Sequence, residues 1–158
     1  EQARGTETVV LLLQATFILS APCALILALA APLGIGLVYG PGFAGSANLV
    51  RLLLPGMVFY ALASVLRPAL YASNRPFLAT VSYVAGMIVT GCGLVLFLRT
   101  GGTVAAAVVS TLSYFVVLVI ALVMYVRVAH LPWARLVSLQ PGTRVAVARL
   151  VRRPIGRF

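Results

Sequence analysis

The chain has 158 residues, 62% hydrophobic and 9% charged, with a mean hydropathy of +1.11. A water-soluble fold of this length needs far more polar surface, so composition excludes a soluble globular domain. All twelve basic residues are arginine, the only acids are Glu1 and Glu7, and the net charge is +10. Half the arginines lie beyond residue 130 and the rest flank apolar runs, a distribution that suits anionic lipid headgroups and argues against nucleic acid as partner.

In chain order, the polar opening "EQARGTE" has no positively charged region leading to a cleavage site. Residues 1–8 are read as a cytoplasmic lead-in to a piece of a longer membrane protein. A transmembrane bundle over residues 9–129 follows, because a helix of about 20 apolar residues crosses a bilayer. Four spans are expected, at about 9–39, 47–72, 77–98 and 104–129. Pro22 and Pro32 lie within the first and call for a kink, tolerable where neighbouring helices or water satisfy the freed carbonyls. Pro55 and Pro68 lie within the second. The connections "GPGFAGS", "SNRP" and "RTGG" are short and rich in turn residues, which predicts antiparallel neighbours.

Orientation follows from the distribution of arginine. One side carries Arg4, Arg67, Arg75, Arg127 and six tail arginines, and the other carries Arg51 and Arg99, a ratio of ten to two. Both termini and the "SNRP" loop are therefore expected in the cytoplasm, in a multi-pass inner-membrane protein. Tyr39 and Phe43 suit an outer aromatic belt, and Tyr71, Phe77, Tyr125 and Trp133 an inner one. Small residues at Ala85, Gly86, Gly91 and Gly93, and at Ala105 to Ala107, Ser110 and Ser113, mark expected helix–helix faces. Cys23 and Cys92 lie in apolar runs without CxxC spacing and are expected as small core residues.

Residues 130–158 form a basic cytoplasmic tail. From Thr143 to Arg153, Val147, Leu150 and Val151 share one helical side and Arg144, Arg149, Arg152 and Arg153 the other, with Val145 among the arginines. A short amphipathic helix on the anionic leaflet and a disordered basic tail are both compatible with that pattern.

No acid lies in any span, the one histidine is His130 at a span end, and no Gly-rich loop precedes Lys-Ser/Thr. Magnesium-dependent transfer needs clustered carboxylates, and acid/base hydrolysis needs a titratable pair. Neither an enzyme, a metal site nor a cofactor site is expected. What remains is arginine near the membrane. Arg67 lies several residues inside the second span, ahead of Pro68, Tyr71 and Arg75. Its planar guanidinium suits a phosphate or pyrophosphate, and the alternative is an arginine that snorkels to anchor the helix end. Arg51 and Arg99 are expected at headgroup level on the outer side. Tyr60, Tyr83 and Tyr114 lie within spans and each needs a hydroxyl partner, from a polar cavity or from a neighbouring helix. Arg67, Arg75, Tyr60 and Tyr83 are the candidate substrate-binding residues.

Three junctions carry a family resemblance. "LVYGPGFAGSANLVRLLLPG" resembles the outer-side junction of polysaccharide and lipid-linked oligosaccharide flippases, "LYASNRPFLATVSYVAG" the following cytoplasmic turn, and "LRTGGTVAAAVVSTLSYFV" the next outer turn. In that order they cover about residues 8–135 and resemble the C-terminal portion of the multidrug/oligosaccharidyl-lipid/polysaccharide exporter superfamily. The resemblance implies an all-α polytopic protein of two helical bundles, this chain contributing the end of the second and packing on the remaining N-terminal helices. It also implies alternating access, in which a cationic cavity moves a polyprenyl-pyrophosphate-linked oligosaccharide or polysaccharide precursor across the cytoplasmic membrane. A cation-coupled multidrug exporter of the same fold, a membrane segment of a glycan-assembly enzyme and a non-transporting anchor subunit are the competing readings.

Overall fold

A computed structural model describes residues 2–129. The basic tail, with its proposed amphipathic helix, Trp133 and His130, lies outside the described residues. The chain runs as α1 (Gln2–Tyr39), a single 3-10 turn (Pro41–Phe43), α2 (Ala44–Ala72) and α3 (Pro76–Ala129). All three α-helices are long and apolar enough to cross a membrane. Among the described residues every regular element is a helix, and those read as a lead-in are helical from Gln2 onward.

Local chemistry sets each boundary. Gly40, at φ +82°, takes the left-handed conformation that ends α1, and its N–H donates to the Gly36 carbonyl at 3.1 Å. At the end of α2, Asn74 adopts φ +57°, the Asn74 N–H reaches the Tyr71 carbonyl at 3.0 Å, and the Arg75 N–H reaches Leu70 at 3.1 Å. Those two bonds make a Schellman motif. Pro76 then opens α3, where its missing N–H costs nothing and its fixed φ suits the first helical position.

α3 is not straight. Gly102 has φ +53° and ψ −138°, a conformation closed to residues with a Cβ, and the chain reverses there into two limbs, residues 76–101 and 103–129. Facing pairs establish the reversal. Gly86 meets Val117, Thr90 meets Ser113, and Gly93 meets Val109, so numbers fall on one limb as they rise on the other. Gly102→Ala is expected to destabilise the chain by about 1–2 kcal/mol through backbone strain alone. Thermal unfolding in detergent, with Gly34→Ala as a reference in open space, checks it.

α2 packs against both α1 and α3. It runs antiparallel to α1, with Arg51 beside Ala28, and antiparallel to the first limb of α3, with Arg67 over Tyr83. The second limb runs parallel to it: Leu52 pairs with Thr111, Phe59 with Phe115, and Tyr60 with Tyr114. Leu13, Leu66, Ala69, Leu70, Ala79, Ala121 and Tyr125 form the core, drawn from α1, α2 and both limbs of α3 at the end nearer the Asn74 turn.

Between the limbs, close approach replaces bulk. A Cβ at Gly93 would stand 2.6 Å from Val109 Cγ1, and one at Gly86 would collide with Val117. Ser113 Oγ donates to the Gly86 carbonyl at 2.8 Å, and Thr90 Oγ1 lies 3.0 Å from the same carbonyl and 2.8 Å from Ser113 Oγ. Of the small residues expected at helix faces, Gly86, Gly93, Ala107 and Ser113 lie at or near this packing, whereas Gly91 faces open space. Two further expectations are corrected. Cys23 and Cys92 are exposed rather than core residues, and Tyr125, assigned to an aromatic belt, is buried at 3% exposure, with Thr6 hydrogen-bonded to its side chain.

Candidate functional site

Arg67 stands on the exposed side of α2, one residue before Pro68. Its guanidinium carbon lies 5.4 Å from the centroid of the Tyr83 ring on the first limb of α3. At an exposed side chain such a cation–π contact contributes about 0.5–1 kcal/mol. Tyr60 and Tyr71 also lie close to Tyr83. These positions share one face of α2: Tyr71 is one turn beyond Arg67, and Tyr60 two turns before it. Tyr60 in turn packs on Tyr114, with ring centroids 5.4 Å apart and planes at 56°.

Arg67, Tyr60 and Tyr83 are thus gathered into one cluster. Arg75 is not part of it, because it lies in the turn after α2, where its backbone N–H serves Leu70 and its side chain is exposed. Tyr71, read from sequence only as a belt residue, joins the cluster instead. The signal was available, since Arg67 and Tyr71 are four residues apart on one helix.

Tyr83 carries a second clue. Its hydroxyl is buried and has no hydrogen-bond partner among the described residues. The interhelical bond expected for it is absent, so the oxygen remains an unused donor and acceptor beside a cation. Among the described residues Arg67 forms no ion pair, and Glu7 is the one acid available. No group of three or more His, Cys, Asp or Glu gathers among the described residues either. The accessible part of the cluster is therefore the guanidinium of Arg67, whose planar N–H donors suit an oxyanion, with Tyr60 and Tyr71 exposed on the same face of α2. Tyr83→Phe is expected to leave stability unchanged or raise it by up to about 1–3 kcal/mol, because no bond to protein is lost and an unpartnered buried hydroxyl is removed. Matched denaturation of both forms in detergent reads this out.

Sequence reasoning missed the role of a second arginine. Arg51, expected among headgroups, commits its Nε–H to the Ala28 carbonyl of α1 at 3.0 Å, about three turns inside the end of that helix. Nearby, Thr111 Oγ1 donates to the Leu52 carbonyl at 2.7 Å, and a Cβ on Gly56 would lie 3.0 Å from Thr111 Cα. Both contacts tie the half of α2 nearer the Gly40 turn to the second limb of α3.

No family model matches the chain, and neither a curated protein nor a solved structure is significantly similar to it.

Proposed function

We propose that this chain is part of a membrane transporter that flips a polyprenyl-pyrophosphate-linked oligosaccharide or polysaccharide precursor across the cytoplasmic membrane. The observation that carries the reading is the exposed Arg67 held over the ring of Tyr83, with Tyr60 and Tyr71 on the same face of α2, in a chain almost devoid of acid. A pyrophosphate is the part of such a lipid that a guanidinium recognises, and the glycan contributes hydroxyls for the exposed Tyr60 and Tyr71.

In this reading α1, α2 and each limb of α3 cross the bilayer once, giving four spans. The Asn74 turn and both ends face the cytoplasm, and the Gly40 and Gly102 turns face outward. The arginine asymmetry supports that orientation. The basic tail engages anionic headgroups, further helices of the full-length protein complete the path, and neither nucleotide, metal nor catalytic chemistry resides here. The resemblance of the three junctions to oligosaccharide flippases points the same way.

Cells carrying Arg67→Ala in the full-length protein should accumulate lipid-linked glycan on the inner leaflet and lose surface polysaccharide. Normal surface polysaccharide after deletion of the whole gene sinks the reading.

A further inference from the structure

Pro32 has no N–H, so the Ala28 carbonyl one turn earlier loses its intrahelical donor, and the pyrrolidine ring tilts that carbonyl out of the helix. In hydrocarbon an unpaired carbonyl is strongly disfavoured. Arg51 of α2 supplies the missing partner, its Nε–H lying 3.0 Å from that same oxygen. A side chain from a neighbouring helix thus caps the one carbonyl that Pro32 orphans.

What this bond holds is otherwise thinly held. Beyond Pro22, Ala31 is the one buried residue described in α1. Leu25, Ile26 and Leu27, three consecutive residues that sweep about 200° of the helix surface, are 62%, 63% and 56% exposed, and Leu33 and Leu37 are 78% and 90% exposed. The partly covered positions in that stretch are Ala24, Ala28 and Ile35, which with Ala31 form one narrow strip of mostly small side chains. By contrast, the Leu13 end of α1 is locked into the core.

We propose that Arg51 and the Ala28 carbonyl form a releasable latch on a proline hinge. While closed, it clamps the second half of α1 and the Gly40 turn against α2. When the guanidinium leaves for another acceptor, such as a lipid phosphate, the segment after Pro32 swings away while the Leu13 end stays seated. Neither partner alone makes the device: proline creates the vacancy, and arginine fills it reversibly. The latch does not depend on the identity of any cargo.

The test uses the full chain in lipid nanodiscs, with Cys23 and Cys92 changed to alanine and spin labels on Leu37→Cys and Leu96→Cys. Pulsed electron paramagnetic resonance reads the label separation in four backgrounds. Arg51 with Pro32 should give one narrow distribution. Arg51→Ala should raise a second, longer-distance population about fivefold, the effect of losing one interhelical hydrogen bond. Pro32→Ala restores the backbone N–H, so Pro32→Ala alone and Pro32→Ala with Arg51→Ala should both return to the narrow form. An unchanged distribution in Arg51→Ala, or equal broadening in the double variant, overturns the latch. Should Arg51→Ala fail to fold, recovery of folded protein by Pro32→Ala supports the proposal and equal loss in the double variant overturns it.

Discussion

Gly86→Leu should separate the two limbs of α3 and lower the unfolding temperature on the order of 5 °C. In lipid the limbs gain little from hiding apolar surface, so their association rests on close contact and on hydrogen bonds between helices. Gly86 provides both. Its missing side chain admits Val117, and its carbonyl receives the Ser113 hydroxyl at 2.8 Å. A leucine there has no room, and β-branched Val117 has few rotamers with which to retreat. Gly91→Leu is the control on the same limb. That position faces open space, so the change should be neutral or slightly stabilising, by up to about 1 kcal/mol of helix propensity. Equal losses in the two variants would contradict the limb packing.

If the chain serves the proposed transporter, Arg67→Ala should reduce transport about tenfold to 100-fold while leaving the fold intact. The magnitude is that of a charge-assisted hydrogen bond to an oxyanion, roughly 1.5–3 kcal/mol. Stability should change by no more than about 1 kcal/mol, because the side chain is exposed and its one described contact is with the face of Tyr83. Arg67→Lys separates charge from shape. Lysine keeps the cation but loses the planar fork that can grip two oxygens at once, so it should recover part of the activity. Full recovery by lysine would mean that charge suffices and the ring contact is incidental. Transport rates alongside denaturation midpoints for the three forms distinguish these outcomes.

Turns were legible in the sequence and tertiary partners were not. "SNRP" places an asparagine, tolerant of positive φ, just before a proline, and these become the C′ position of α2 and the first position of α3. "RTGG" offers a glycine for the backbone break, and Gly102 takes it. Such residues act through their own φ and ψ, which neighbours in sequence disclose. The partners of Arg51 and Tyr125 depend instead on register between helices. That register puts Arg51 beside Ala28, but nothing local in either segment announces the pairing. Tyr125 looks interfacial because it lies near a helix end, yet rotation about the axis of α3 turns it into the core. The same ambiguity misplaced Cys23 and Cys92: in an almost uniformly apolar helix, hydropathy does not distinguish the protein-facing side from the exposed one. Arg67 and Tyr83 were each legible as candidates, whereas their contact across two helices was not.

The most direct test is made on the purified full-length protein in proteoliposomes loaded on one leaflet with a fluorescent polyprenyl-pyrophosphate oligosaccharide. A flippase role requires that wild-type protein expose the label to an external quencher or lectin, and that Arg67→Ala slow exposure at least about tenfold. Movement at the protein-free rate by the wild type, or an undiminished rate in Arg67→Ala, would contradict it.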